Sequence, residues 1–276
     1  MALTRTKVGL LLSLALSLST ACGDDDDDDD TPGDGGEAGV RDAGNDAGRD
    51  GGLDGGRDGG NVDGGGGNID GGGSDAGSDA ATSPLMSFFV TSDTSTTGDL
   101  GGLGAADARC LRLASAVGVG GKQWRAYLSV ERDPTNGNQP TEARSRIGTG
   151  PWYNAKGQLV ASDLASLHAR SGNADIFLDE RGQKISGQWP GSPGPNQHDI
   201  FTGTAPDGGV AVGRTCADWT SNDAGLAARV GHSDGLGPGA DGGVPFNSWF
   251  SSHESQGCDN TAPRGGAGKI YCFAAN

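Results

Sequence analysis

Hydrophobic residues between positions 103 and 117 recur every three to four residues, which predicts a helix with one buried face. The residues on that face are Leu103, Ala106, Cys110, Leu113, Ala114 and Val117. The segment QWRAYLSV that follows alternates with a period of two, which predicts a strand with one buried face. The inward positions of that strand are Trp124, Ala126, Leu128 and Val130. The pattern therefore predicts a helix followed by a strand.

Further strands are predicted from short runs rich in β-branched and aromatic residues. These runs are FFV at 88–90, IFTGT at 200–204, GVAVGRTC at 209–216 and KIYCF at 269–273. A helix near the start, short strands later and a terminal strand that carries a cysteine predict an α+β fold rather than a doubly wound parallel sheet. Residues 85–276 have a length suited to one domain.

The first 21 residues have the pattern of an export signal, because two basic residues precede an apolar run at 8–18 and small residues follow it. As a helix this run rises only about 16 Å, roughly half of a bilayer core, so a membrane-spanning helix is not expected. The small residues before Cys22 resemble a bacterial lipobox, which predicts that Cys22 carries a lipid anchor. Ordinary secretory cleavage after Ala21 is the alternative.

Most of the excess negative charge lies between the signal segment and the predicted domain. The chain has 36 acidic and 20 basic residues, and residues 23–84 contain 18 of the acidic and only three of the basic ones. Aspartate recurs every fourth residue from 42 to 58 among glycines and alanines, a composition with little to bury. We therefore expect a disordered linker over 22–84, with an end-to-end distance of about 40–50 Å. No basic stripe is present, so a nucleic-acid partner is not expected.

Four cysteines remain when Cys22 is set aside, and an even number in an exported chain predicts two disulfides with three possible pairings. These cysteines are Cys110, Cys216, Cys258 and Cys272. Metal binding is the competing interpretation, but the chain has no CxxC or HxxxH spacing. The acidic linker predicts diffuse counterion binding rather than a calcium site, since a four-residue repeat supplies too few oxygens per turn.

Five blocks of sequence resemble the lectin-like domain of bacterial endostatin-like surface lipoproteins, a branch of the C-type-lectin-like superfamily. The blocks are FFVTSDTSTTGDLGGLGAADARC, WRAYLS, FTGTAPDGG, CADWTS and IYCF, within residues 87–273. The resemblance implies a C-type-lectin-like fold with a long loop region. It also implies that Cys110 on the first helix pairs with Cys272 on the last strand, and that Cys216 pairs with Cys258 across the loop.

The resemblance further implies binding of a protein or glycan through the long loop, without catalysis. Sugar-binding members of the superfamily hold calcium with two sequence triplets, and the nearest strings here are GPN at 194–196 and WTSND at 219–223. Both strings depart from the family pattern, so a calcium-dependent lectin is an alternative rather than the main prediction. The candidate ligand-binding residues are Asn196, Asn222, Asp223, Asn247, Trp249 and His253.

Two of these candidates have a second interpretation. Trp249 could contact a ligand or could be a buried residue that holds the loop in place. His253-Glu254 could converge with His198-Asp199 as acid–base partners or zinc ligands. Because no third ligand has a defined spacing, we expect surface histidines, no catalytic residue and no metal site. GHSDG at 231–235 matches an esterase pattern, but the glycines after it cannot form the helix that this nucleophile needs.

These observations predict a lipoprotein of the cell envelope, at the outer membrane or cell surface, that contacts the membrane through Cys22. Its domain at 85–276 is expected to bind an extracellular protein or glycan without a cofactor, with calcium binding as the alternative. The alternatives are a calcium-dependent lectin, a structural envelope lipoprotein, and a hydrolase that uses the loop histidines.

Overall fold

The computed structural model describes residues 81–238 and 245–275 and confirms the α+β class. The predicted signal at 1–21, the anchor Cys22 and nearly all of the predicted linker lie outside the described residues. Among the helices of the described part, none combines the length and the apolarity that crossing a bilayer requires.

The described residues contain ten strands, most of them short. They are β1 (Phe88–Val90), β2 (Trp124–Ala126), β3 (Val130–Asp133), β4 (Gln139–Thr141), β5 (Trp152–Tyr153), β6 (Leu159–Ala161), β7 (Asp199–Phe201), β8 (Arg229–His232), β9 (His253–Glu254) and β10 (Gly266–Ala274). The main sheet has the order β1-β10-β7-β8-β9, and β2 also pairs with β10. Its pairings are antiparallel except for β10 with β7, which is parallel. The pairs β3-β4 and β5-β6 form two small separate sheets.

Three helical segments accompany these strands: α1 (Gly102–Ala116), α2 (Leu164–Ala169) and α3 (Cys216–Trp219). The first confirms the predicted helix, and its predicted inward residues are buried or packed against the core. The third differs from an ordinary helix, because all four of its residues have φ between 46° and 67°. It is therefore a left-handed turn made without glycine, a conformation that L-residues rarely adopt.

The strand β10 separates two hydrophobic cores. Ile270 and Cys272 belong to the helix-side core, which packs against α1, whereas Tyr271 and Phe273 belong to the aromatic core. The largest side chains of the aromatic core are Phe88, Tyr127, Trp152, Phe177, Trp249, Phe250, Tyr271 and Phe273. Because successive side chains of a strand point to opposite faces, a strand with both faces covered has no polar alternation.

The predicted strand at 123–130 is only partly correct. Its four predicted inward residues are all buried in the helix-side core. However, Tyr127 is also fully buried, in the aromatic core, so both faces of the segment are covered. The candidate strand at 209–216 is wrong. Only isolated bridges involve Val210 and Thr215, because Gly213 turns the backbone at φ 70°.

Both implied disulfides are present. Cys110 on α1 is joined to Cys272 on β10, with a Cα–Cα distance of 5.5 Å. Cys216 at the start of α3 is joined to Cys258, which follows β9, with a Cα–Cα distance of 5.8 Å. The first bond crosses the helix-side core, and the second fixes the left-handed turn to the segment that leads into β10.

Candidate functional site

Trp249 lies inside the aromatic core, so its predicted contact with a ligand is wrong. The residue is 0% exposed, and its indole N–H donates to the carbonyl of Leu167 at 2.9 Å. The rings of Tyr127 and Tyr271 pack around it with centroid distances of 4.8 and 5.1 Å. Trp249 therefore holds the loop in place, as the second interpretation stated.

Asn222 and Asp223 are exposed in a turn beside the second disulfide. Asp223 Oδ1 accepts the backbone N–H of Gly225 at 2.8 Å, and the carbonyl of Asp223 accepts the N–H of Cys258 at 3.2 Å. Asp223 thus stabilises the turn. The predicted role of both residues in ligand binding stays a prediction.

Asn196 and Asn247 are both partly buried. Asn196 Oδ1 accepts the backbone N–H of His198 at 3.2 Å, and an added Cβ at Gly265 would lie 2.6 Å from the Asn196 amide nitrogen. Asn247 contributes its carbonyl to the N–H of Gly172 at 2.9 Å. Asn196 therefore borders a group of histidines that dominates this end of the sheet.

The histidine cluster consists of His198, Asp199, His232 and His253. The Nε2 atoms of the three imidazoles lie 3.3, 3.2 and 3.5 Å from a single oxygen, Asp199 Oδ1. The imidazoles of His198 and His232 stack with centroids 4.1 Å apart and an interplanar angle of 16°. The ligand atoms of His198, Asp199 and His232 all lie within 4.8 Å of one another.

The expectation of surface histidines is wrong for this cluster. The side chains of His198, His232 and Asp199 are 1%, 2% and 3% exposed, and that of His253 is 22% exposed. Polar groups removed from water in this way need partners inside the protein. Yet Asp199 Oδ1 and His232 Nε2 are buried atoms with no hydrogen-bond partner of acceptable geometry among the described residues.

The register of the sheet explains why residues so far apart in sequence meet. Asp199 is directly opposite His232 in the β7-β8 pair, and His253 is opposite Val230 in the β8-β9 pair. Opposed residues of antiparallel strands share a face, and so do residues two apart on β8. His232, Asp199 and His253 are therefore on one face, and His198 precedes β7 directly.

A glycine allows the third strand to approach. An ideal Cβ built on Gly231 would lie 1.9 Å from the carbonyl oxygen of Trp249, so no side chain fits between the two segments. The N–H of His232 donates to the carbonyl of Ser248 at 2.9 Å, and the N–H of Ser252 donates to the carbonyl of Val230 at 2.7 Å. These contacts place His253 against β8.

The second nitrogen of every imidazole in the cluster has an acceptor. His198 Nδ1 lies 2.8 Å from Asp234 Oδ1, His253 Nδ1 lies 2.9 Å from the carbonyl of Glu254, and His232 Nδ1 contacts the carbonyl of Leu236. Asp234 is itself fixed, because its Oδ2 accepts the N–H of Gln188 at 2.7 Å. All three rings are thus held in one orientation, with Nε2 directed at the centre.

Charge within the cluster is mutually stabilising. Burial alone would raise the pKa of Asp199, but the imidazoles of His232 and His253 lower it below its ordinary value. Burial alone would lower the pKa of His253, but the carboxylate of Asp199 raises it. The pKa of Asp234 is likewise lowered by His198 against the effect of burial. Without a metal, the carboxylate of Asp199 and the imidazole of His253 therefore each favour the charged form of the other.

Sequence reasoning proposed the convergence of His198 and His253 but missed His232, Asp234 and the central role of Asp199. The string GHSDG drew attention to Ser233, whereas its neighbour His232 belongs to the cluster and its other neighbour, Asp234, contacts His198. The exclusion of an esterase elbow agrees with the structure, since residues 233–238 after β8 form turns and coil. No local spacing rule connects a residue on β7 with one on β9, so only the strand register reveals the set.

A cluster of imidazoles and a carboxylate can transfer protons or bind a divalent transition metal. Comparisons with known proteins do not choose between these uses, since no family model matches the chain and no curated protein matches it significantly. The C-type-lectin-like resemblance therefore rests on the five sequence blocks alone.

Proposed function

We propose that the protein is an exported lipoprotein that presents a rigid recognition module to extracellular proteins or glycans. The observation that carries this proposal is the segment between β2 and β10. It contains long stretches of irregular backbone, yet large side chains such as Trp152, Trp219 and Trp249 within it are fully buried. Irregular backbone fixed on a rigid scaffold is typical of recognition surfaces, because it presents a defined shape without requiring a regular element.

The rigidity of this segment has several independent sources. Cys216–Cys258 joins two of its loops. Trp219 donates its indole N–H to the carbonyl of Ser129 at 2.9 Å, and Thr202 Oγ1 donates to the carbonyl of Phe250 at 2.6 Å. A surface whose shape is fixed before binding loses less conformational entropy when a partner binds. These contacts support recognition as the role of the segment.

The resemblance and the composition of the chain support display outside the cytoplasm. Residues 1–22 carry the signal and lipobox-like pattern, and residues 23–84 are acidic and rich in glycine. Such a composition suits a hydrated spacer that separates the domain from the membrane. An anchor with several acyl chains would keep the chain on the membrane, whereas a single chain would hold it only marginally.

Binding is tested with the full chain on an array of glycans and purified extracellular matrix proteins. We expect saturable binding to one class of probe. The double variant Asn222→Ala/Asp223→Ala removes two exposed side chains of the loop and should weaken this binding. Asp175→Ala, at an exposed position between α2 and β7, is the control. Absence of binding to every probe would contradict recognition and favour a structural envelope protein.

Anchoring is tested by labelling cells with radioactive palmitate. The wild-type chain should incorporate label and sediment with membranes, and Cys22→Ser should do neither. Label in the Cys22→Ser variant would contradict the predicted site. A rise in Tm with added calcium, which we do not expect, would favour the calcium-dependent lectin.

One observation favours a hydrolase as the second candidate. The hypothesis requires His198 and His253 to converge, and both lie within 3.5 Å of Asp199 Oδ1. However, an acid–base group must reach its substrate, and only His253 has appreciable exposure. Hydrolysis of p-nitrophenyl esters that is lost in His253→Ala would support this candidate over recognition.

A further inference from the structure

The hydrogen bonds around the histidine cluster leave several acceptor atoms facing one another, without a donor between them among the described residues. The Nδ1 atoms of His232 and His253 face backbone carbonyls, which only accept hydrogen bonds, so each Nδ1 must carry the proton. His198 Nδ1 faces the carboxylate of Asp234 in the same way. In the neutral imidazole the other nitrogen, Nε2, then carries a lone pair and can only accept. With all three imidazoles neutral, which is the form that binds a metal, three lone pairs surround Asp199 Oδ1, which is a fourth acceptor.

Four acceptors in contact repel one another unless a positive charge lies between them. Extra protons would have to charge neighbouring imidazoles, and the parallel rings of His198 and His232 are only 4.1 Å apart. Two like charges at that separation are unfavourable in a buried site. A single divalent cation satisfies all four lone pairs at once.

His198, Asp199 and His232 form a compact set whose ligand atoms all lie within 4.8 Å of one another, and His253 lies outside this set although its Nε2 is 3.5 Å from Asp199 Oδ1. A zinc ion with ligand distances of about 2.0–2.1 Å separates its ligand atoms by about 3.3–3.4 Å. The three distances from Asp199 Oδ1 to the Nε2 atoms are 3.3, 3.2 and 3.5 Å. Hydrogen bonds of normal length would be shorter, with N···O near 2.9 Å.

We propose that His198, Asp199 and His232 bind one zinc ion through two Nε2 atoms and one carboxylate oxygen, and that His253, on the edge strand, closes on the ion as the fourth ligand. Asp234 is a positioning residue, because it accepts the Nδ1–H of His198 and thereby orients that ring. Metal-binding histidines commonly make such a bond to a carboxylate or a carbonyl, and here all three imidazoles of the set make one.

The donor set selects the kind of metal. Imidazole suits zinc, copper and nickel, whereas calcium takes six to eight oxygen ligands and magnesium prefers carboxylates and water. Three nitrogens with one carboxylate oxygen therefore exclude calcium as the natural occupant. Among metals that accept imidazole, zinc is the one that prefers the tetrahedral arrangement.

With His253 as the fourth ligand the tetrahedron is complete, and the site would then be of the closed, structural kind rather than the catalytic kind with an open position. The ion would join the start of β7, the end of β8 and the edge strand β9. Zinc binding is independent of the proposed recognition function, and each can fail without the other. The proposed site departs from the sequence-based expectation that the domain has no metal site.

The test is the zinc stoichiometry and affinity of the full chain, stripped with a chelator and titrated against a chromophoric competitor. Excess magnesium in the buffer occupies the many aspartates of residues 23–84, which would otherwise bind zinc diffusely. We expect one tightly bound zinc per chain. Binding that disappears in the presence of magnesium would overturn the proposal.

Variants separate this site from other metal binding by the chain. His253→Ala removes the most exposed ligand and should weaken zinc binding by at least about 100-fold. Asp234→Asn should weaken it by about 10- to 100-fold, the usual effect of losing a partner of a ligand. His168→Gln removes the fourth histidine of the chain, which instead contacts the hydroxyl of Tyr127, and should leave zinc affinity unchanged. Equal affinity in wild type and His253→Ala would overturn the proposal.

Cobalt(II) provides a readout that needs no variant. Tetrahedral cobalt has intense visible absorption bands, whereas octahedral cobalt has weak ones. We expect the intense spectrum in the wild-type chain and its displacement by one equivalent of zinc. A weak octahedral spectrum would contradict a closed four-ligand site, even if every ligand variant failed to fold.

Discussion

The two ends of the main sheet are stabilised by different kinds of interaction. At one end, β10 and β2 pack against α1 through apolar side chains and the Cys110–Cys272 bond. At the other, β7, β8 and β9 meet at the histidine cluster, where the closest contacts are between nitrogen and oxygen atoms. Both ends are buried, and both belong to one continuous sheet.

The two ends differ in how strongly their interactions depend on the orientation of the side chains. Burial of apolar surface is roughly proportional to area and tolerates small shifts. The polar end depends on the orientation of each ring, which second contacts such as that of His198 with Asp234 maintain. The helix end can therefore lose part of its packing gradually, whereas the loss of one side chain of the histidine cluster removes a directed contact that no neighbour replaces.

The largest expected effect concerns the disulfides. The chain-entropy model assigns about 5 kcal/mol to a bond that closes 162 residues, as Cys110–Cys272 does, and about 4 kcal/mol to one that closes 42 residues, as Cys216–Cys258 does. We expect Cys110→Ala/Cys272→Ala to lower the free energy of unfolding more than Cys216→Ala/Cys258→Ala. Urea unfolding of the full chain measures both. The opposite order would show that Cys216–Cys258 contributes more to stability than Cys110–Cys272.

The next effect tests the reassignment of Trp249. Trp249→Ala should lower the free energy of unfolding by about 3–5 kcal/mol, since it leaves a cavity in the aromatic core. Trp249→Phe keeps most of the volume but loses the hydrogen bond to Leu167, so its effect should be smaller. Urea unfolding again provides the measurement. Unchanged stability in Trp249→Ala would restore a surface role for this residue.

A matched pair of glycine substitutions compares the right-handed helix with the left-handed turn. Ala108 in α1 and Ala217 in α3 are both exposed, but Ala217 has φ 50°. Ala108→Gly should lower the free energy of unfolding by about 1 kcal/mol. Ala217→Gly should raise it by roughly 0.5 kcal/mol, because relief of the left-handed strain exceeds the added entropy of the unfolded chain.

Thermal unfolding of the two variants side by side tests the sign. Two losses of equal size would show that α3 stores no backbone strain.

The smallest effect is a pH dependence on the helix side. Burial alone would raise the pKa of Asp93, but Arg109 and Arg112 hold that pKa below its usual value of 3.8. The folded pKa is below the unfolded one, so the contribution is complete above about pH 5 and is lost as the pH falls through the folded pKa. Asp93→Asn should cost about 1 kcal/mol at neutral pH, because the pair is partly exposed and screened.

Urea unfolding between about pH 7 and pH 2 should show a shallower acid loss in Asp93→Asn than in wild type. Asp259→Asn, which removes an exposed carboxylate, is the control and should follow the wild-type curve. An unchanged acid slope in Asp93→Asn would show that this ion pair contributes nothing to stability.

The apolar end could be predicted in detail from the sequence. The period at 103–117 identified the buried face of α1, and KIYCF identified the centre of β10, because burial repeats along one element and leaves a local pattern. The strand prediction at 209–216 was wrong because it relied on the same kind of local pattern. Alternating residues there have the composition of a strand, but isolated bridges and a turn at Gly213 replace the ladder.

The polar end could be predicted only as two separate dipeptides. His198-Asp199 and His253-Glu254 were visible as candidates, and their convergence was one of two open outcomes. His232 had no signal of its own, since it lay within a string that matched an unrelated motif. Trp249 had the neighbours of a binding residue, but its burial depends on Tyr127 and Tyr271, which come from other strands or loops.

The sequence alone determined the helix, the closing strand, the number of cysteines available for disulfides and the acidic composition that precedes the domain. Each of these depends on residues that are neighbours in the chain. Only the tertiary structure decided which polar atoms meet, because the register of β7, β8 and β9 places Asp199 opposite His232 and brings His253 alongside. Contacts between nitrogen and oxygen atoms weaken when their distance changes by a few tenths of an ångström. No local sequence pattern encodes distances between residues that are far apart in the chain to that precision.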